Sequence, residues 1–445
     1  MTVTTVETNS PTPADEADVL VGRRSVKGPL ATTVIAVLGA AAFTYLAPPH
    51  KTTTFVFTLG IESYKVPNLV VNSRTGALVF GIVAVVFALL TWLPFLLASG
   101  AAAQSSRRLL WTKRLSIVLI GVSMTALFMS FLCWAVAGKS IPITGLLQGS
   151  VLLAVPLIYG AMSGVLSERA GVININIEGQ LLTGAFLAAV VASVTQNLWI
   201  GLAAAPIGGL LLGFLLAMFA TKYFVDQVVV GVVLNVLAVG ITSFLYSQVL
   251  VPYQNRLNSP PTFNPIALPG LSKIPVLGPV LFDQNILVYI MYVVVVAVQY
   301  YLFHTRWGLR VRSVGEYPDA ADSVGIRVNR TRFRTVLIAS AIAGLGGAFF
   351  TIGQVGPFGR ELTSGKGFIA LAAVIFGRWT PLGALGAALL FGFASNLQYV
   401  LSIIGTPIPS QFLLMTPYIA TILAVAGLVG KVRAPGADGI PFRKS

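Results

Sequence analysis

The chain has 445 residues, 56% hydrophobic and 10% charged, with a net charge of +15 and a mean hydropathy of +0.85. Soluble domains carry about 25% charged residues, so this composition excludes an ordinary soluble enzyme and places the chain in a bilayer. A single cysteine, Cys133, excludes an internal disulfide, and two distant histidines, His50 and His304, offer no metal-ligand spacing.

In a soluble protein a charge of +15 would suggest nucleic acid. In a membrane protein it reads as basic loops that fix orientation, and no nucleic-acid partner is expected.

Residues 1–20 are rich in Thr, Pro, Glu and Asp, Arg23, Arg24 and Lys27 follow, and 1–29 reads as a disordered cytoplasmic tail rather than a signal peptide. Twelve apolar segments follow, at 30–47, 77–98, 115–137, 144–166, 172–195, 198–219, 227–250, 286–303, 335–353, 367–377, 382–403 and 412–430. A crossing needs about 20 residues, so 367–377 is too short to span alone and reads as a half-helix or a tilted segment. The expected class is an all-α integral membrane protein of about 12 transmembrane segments. Residues 433–445 form a second tail.

Starting with the N-terminus inside, alternation places 21 of the 29 Lys and Arg on the inside. That bias predicts a multi-pass protein of the plasma (inner) membrane with both termini cytoplasmic. A re-entrant 367–377 would move the C-terminus outside.

Two loops are long. The outside loop 251–285 is rich in Pro and Asn and reads as a surface loop or short cap. The inside loop 304–334 carries seven arginines. Within it, "GEYPDAADSVGI" (Gly315 to Ile326) predicts a short helix. Pro318 suits the first helical position, Asp319 the positive end and Gly325 the stop.

No Walker A pattern occurs; "GRELTSGKGF" misplaces the first glycine and has Gly367 after the lysine. Nor does a nucleophile elbow or zinc helix stand in a fitting context. The spans are poor in acids, Glu178 being almost the only one, which favours an external motor over ion coupling.

The stretch "ERAGVININIEGQLLTGAF" places Asn174, Asn176, Glu178 and Gln180 within seven residues. On a continuous helix, Asn174 and Glu178 share one face, and Asn176 and Gln180 another. Lipid cannot cover both, so these groups either glue helices together, meet the cytoplasmic interface or line a translocation path. Gln148, Asn235, Asn396 and Gln398 read as single amides acting as glue. "GLGGAFF" (Gly344 to Phe350) reads as a small-residue packing face, and "FGRWTPLGA" (Phe376 to Ala384) as an interfacial turn.

Three blocks carry a resemblance. "SERAGVININIEGQLLTGAF", "TRWGLRVRSVGEYPDAADSVGI" with "ASAIAGLGGAF", and "GKGFIALAAVIFGRWTPLGALGAALLFG" stand in order within 115–432. This region resembles the permease subunits of ATP-binding cassette importers for nucleosides and simple sugars of the ribose type. The resemblance implies a ten-span core at 115–432, similar to cobalamin-importer permeases, with two extra spans at 30–114. It implies a non-catalytic transport subunit with no cofactor of its own, ATP and magnesium being bound by a partner ATPase. A second permease chain, an extracytoplasmic binding protein and membrane lipid complete the implied partners. The nucleoside branch fits best; simple sugars are the alternative, and a self-sufficient secondary carrier is the competing class. Gly315, Asp319, Ala320, Ala321 and Gly325 would form the ATPase-coupling loop, with Asp319 in place of the family's Glu. Asn176 departs from a position where relatives often have Gly.

Overall fold

The computed structural model describes residues 27–58, 66–93, 106–415 and 434–443. They form helices α1 (Lys27–Leu46), α2 (Ser73–Leu90), α3 (Ser106–Ala135), α4 (Ile143–Arg169), α5 (Ile177–Thr195), α6 (Leu198–Thr221), α7 (Gln227–Leu245), α8 (Gln254–Leu257), α9 (Leu277–Leu281), α10 (Ile286–His304), α11 (Arg306–Glu316), α12 (Pro318–Ser323), α13 (Val328–Ala348), α14 (Lys366–Phe376), α15 (Pro381–Ile404) and α16 (Ser410–Leu414). Ten helices among the described residues are long and apolar enough to cross a bilayer. At 11 residues α14 is about 16 Å long, half the hydrocarbon thickness. The expected twelfth span, 412–430, lies almost wholly outside the described residues, as do most of the N-terminal tail and residues 431–433 and 444–445.

The all-α expectation needs one small amendment. Strands β1 (Thr52–Val56), β2 (Leu69–Asn72) and β3 (Ser140–Pro142) form a sheet in the order β2-β1-β3, and β4 (Ile266–Ala267) pairs antiparallel with β5 (Asp283–Gln284). β1 and β2 pair antiparallel, Thr53 opposite Val71.

Two compact units emerge, residues 1–55 with 69–141 and residues 56–68 with 142–445. The sequence reading began the core at 115; by packing, α3 groups with α1 and α2. Inside the first unit the Ser123 and Ser130 hydroxyls of α3 donate to the α2 carbonyls of Ala84 and Ala77, each at 2.8 Å. Phe43 of α1 stacks on Trp134 of α3 at 5.7 Å.

The second unit is built around α4, α5 and α13, its most buried long helices. In an apolar solvent the hydrophobic effect cannot drive helix against helix, so small residues and polar contacts decide packing. Gly344 of α13 shows this: a β-carbon there would strike the backbone of Ala205 and Gly209 on α6. The small-residue stretch Gly344–Phe350 therefore packs helices, as its composition suggests. The Tyr159 hydroxyl of α4 donates to the Leu287 carbonyl of α10 at 2.8 Å. The Asn396 amide of α15 donates to the Leu146 carbonyl of α4 at 2.6 Å.

Candidate functional site

Between α4 and α5 the helical path breaks. Gly171 turns the chain at φ +83°, and residues 172–176 are not helical although Val172, Asn174 and Asn176 are fully buried. Irregular backbone at membrane depth must find partners inside the protein. Two side chains of α7 provide them. Gln227 Oε1 accepts the Ile173 N–H at 2.8 Å. Asn235 donates to the Ile175 carbonyl at 2.9 Å and accepts the Gly179 N–H at 2.8 Å.

This break corrects the helical pairing expected from spacing. Asn174 is not on the helix that carries Glu178. Instead the Asn174 and Gln180 amides exchange two bonds of 3.2 Å. Asn174 also donates to Ser163 of α4 at 3.2 Å, and Gln180 to Ser340 of α13 at 3.0 Å. The result is a buried polar knot across three helices and the break. Asn176 sits just before α5 with both amide atoms buried and without a hydrogen-bond partner among the described residues.

Glu178 points elsewhere, to the start of α14. Its Oε1 accepts from the Thr363 hydroxyl at 2.6 Å and the Gly365 N–H at 2.7 Å, and its Oε2 from the Gly367 N–H at 2.5 Å. Both oxygens accept and neither donates, the pattern of an ionised carboxylate. A helix start leaves N–H groups unpaired and carries partial positive charge, so a carboxylate there is favourable. Gly367 is required by this approach: a β-carbon would collide with the Glu178 backbone. The stretch rejected as a Walker A loop thus does bind an oxyanion through its backbone, but one from its own chain.

The other end of α14 is held by the same stretch. The "FGRWTP" turn puts Arg378 and Trp379 at φ +55° and +51°. The Trp379 indole donates to Glu168 Oε2 at 2.5 Å, and Arg169 Nε donates to the Trp379 carbonyl at 2.8 Å. Residues 168–180 therefore grip the short helix at both ends.

The basic loop is a folded arm. α11 was not expected as a helix. Its signal is the Thr305 cap, which accepts the Gly308 N–H at 3.1 Å, followed by Gly308, Val311, Val314 and Gly315 on one buried face. α12 forms where predicted, with Pro318 at its first position and Gly325 at φ +86° beyond its end. Asp319 stands in its first turn. Ala321 is buried against Val314, Val328 and Phe442. Tyr317 and Val324, at the two ends of α12, are 68% and 74% exposed, and Ala320 within it is exposed.

Residues 434–443, read from sequence as a tail, are seated against this arm. The Ala437 N–H donates to the Gly315 carbonyl at 2.8 Å and the Gly436 N–H to Glu316 at 2.5 Å. Arg332 of α13, 1% exposed, donates to the carbonyls of Ile440 at 2.7 Å, Val314 at 3.1 Å and Ala437 at 3.4 Å. One of the seven loop arginines is therefore an internal tie rather than a surface charge.

Burial pushes the Asp438 carboxyl up to about 7, against the opposing pull of the Arg332 guanidinium and the Gly439 N–H. The folded segment then holds a proton that the released segment gives up near the usual value of 3.8, so the stabilisation is complete below that value and is lost as pH rises through about 7. Amide exchange of residues 434–443, corrected for intrinsic rates, is expected to be slower at pH 6 than at pH 8. Asp438→Asn is expected to remove that difference; an unchanged difference would detach it from Asp438.

Among the described residues no three His, Cys, Asp or Glu side chains gather as a metal site. Residues 145–429 match the protein family described as branched-chain amino acid transport system / permease component. The guanosine ABC transporter permease protein NupQ of Bacillus subtilis is 40% identical over 313 residues, covering 67% of this chain and 96% of its own length. The nucleoside ABC transporter permease protein NupC of Lactococcus lactis is 38% identical over 304 residues, covering 66% and 95%. The glucose ABC transporter permease protein TsgB13 of Haloferax volcanii is 29% identical, covering 54% and 65%. No solved structure matches the chain.

Proposed function

The chain belongs to the family of branched-chain amino acid transport system / permease components, and we propose that it is the membrane permease of an ATP-driven nucleoside importer. The observation that carries this reading is its similarity to a guanosine permease over 96% of that protein's length. In this reading a cytoplasmic ATPase binds ATP and magnesium and docks on α12. A second permease chain completes the path, an extracytoplasmic protein delivers the nucleoside, and this chain itself catalyses nothing. Both termini face the cytoplasm.

Geometry supports the docking surface. Ala321 anchors α12 inward, while Ala320 within it and Tyr317 just before it are exposed. Apolar side chains this exposed beyond the ends of the spans suit a protein groove. Of the coupling-loop residues, Asp319 and Ala320 then face the partner, while Gly315 and Ala321 hold the arm together. Gly325 ends the helix. Asn174 and Gln180 act as packing in this reading, Glu178 seats α14, and Asn176 is the one polar group of the four left available to the path. Its buried, unpartnered amide supports that role.

Ala320→Arg places a charge on the exposed face without disturbing the Ala321 anchor. Co-purification of the ATPase subunit is expected to be lost while the permease still inserts. Undiminished co-purification overturns the docking surface. A sugar cargo is the second reading, favoured by the glucose permease among the relatives. The ligand carried by the co-purifying binding protein separates the two.

A further inference from the structure

α10, α11 and α13 carry two cavities in register. The first, about 410 Å³, is walled by aliphatic and aromatic side chains, among them Val294, Val298 and Tyr301 of α10, Trp307 of α11, and Ile338 and Ile342 of α13. The second, about 340 Å³, is lined by the exposed Arg310, Arg327, Arg330 and Arg334, and no carboxylate lines it with them. Arg334, Ile338 and Ile342 follow one another at four-residue steps, so they form one stripe along α13. Trp307 and Arg310 are three apart on α11, with the apolar residue first, the reverse of the chain order on α13. On each of the two helices a residue of the apolar cavity and one of the basic cavity therefore stand about one helical turn apart.

The cleft between α10 and α13 opens outward at Tyr301 and Ile338, which are 55% and 46% exposed. Tyr301 and Trp307 mark the level where aromatic side chains meet the membrane interface. A cluster of arginines with no carboxylate among the residues lining its cavity attracts anionic headgroups, and an apolar cleft on the same helices accepts an acyl chain. A soluble anion or the acidic surface of a protein partner would use only the basic half.

We propose that this pair of cavities is a binding site for one anionic phospholipid, its phosphate among Arg310, Arg330 and Arg334 and one acyl chain in the cleft between α10 and α13. The site rests on the proposed orientation only in that it assigns the lipid to the cytoplasmic leaflet. It places a lipid against the arm that carries α12, where it would hold the arm to the membrane.

The test uses the full transporter in nanodiscs of phosphatidylcholine with phosphatidylglycerol, followed by detergent extraction and mass spectrometry of retained lipid. Phosphatidylglycerol is expected to be retained in preference to phosphatidylcholine. The pair Arg310→Gln and Arg334→Gln is expected to lower that retention by about fivefold per arginine. Ile338→Trp, which fills the cleft and leaves the charges intact, is expected to lower it as well. Equal retention of both lipids overturns the site, as does retention unchanged in both variants. Loss of the ATPase subunit from the arginine variant with lipid retention unchanged assigns the cluster to the protein partner and also overturns it. Retention is read without cargo, so a failure of nucleoside transport leaves this result standing on its own.

Discussion

Glu178→Gln is expected to cut nucleoside uptake about tenfold or more while the chain still reaches the membrane. The carboxylate takes three donors at the start of α14, from Thr363, Gly365 and Gly367. A glutamine keeps one acceptor oxygen and turns an NH₂ toward a donor, so at least one buried N–H is orphaned. Neutral interhelical bonds in membranes are worth only about 0.6 kcal/mol. Bonds to a charged group reach about 1.5–3 kcal/mol, and an orphaned buried donor costs about 1–3 kcal/mol more. The second scale governs here, because the acceptor is a carboxylate and the Thr363 and Gly367 donors it takes are buried. The measurement is uptake normalised to membrane-inserted chain, with thermal stability in parallel. If both stay at the level of the native protein, α14 is seated by something other than Glu178.

Arg332→Leu carries the second large effect. Its guanidinium joins the end of α11, through Val314, to Ala437 and Ile440 of the C-terminal segment. Leucine fills much of the space but removes the guanidinium's bonds to the Val314 and Ile440 carbonyls, the Ala437 carbonyl keeping the Ile440 N–H, at a cost of about 1–3 kcal/mol. Release of residues 434–443 also uncovers Phe442, which packs on Ala321, the inward anchor of α12. Uptake is expected to fall and protease cleavage within 434–443 to rise. Truncation after residue 433 is expected to reproduce the uptake defect. A truncated chain with full uptake would assign Arg332 a role other than clasping this segment.

The arm of α11 and α12 and the clamp on α14 differ in how far the letters revealed them. α12 was legible because its determinants are local: Pro318, Asp319 and Gly325 each act within one turn. The long spans were legible because length and apolarity alone identify them. The break at 172–176 was not, because its stability comes from Gln227 and Asn235, more than fifty residues away. Asn174 and Asn176 also fit a continuous helix running into α5, so Gly171 is the local sign of the break. Glu178 stood out as an intramembrane acid, yet its partners lie in a stretch that matters for its backbone N–H groups rather than its side chains. The C-terminal segment carries one buried aromatic, Phe442, too little apolar surface to read as packed.

All of these contacts serve one claim, that this chain is a nucleoside path switched by an ATPase docked on α12. Reconstitution tests it most directly. Proteoliposomes containing the permease assembly, its ATPase and its binding protein are given radiolabelled guanosine with and without ATP. Uptake is expected to require ATP and all partner subunits and to be abolished by Ala320→Arg. Guanosine uptake by this chain alone, driven by an ion gradient without ATP, would contradict it.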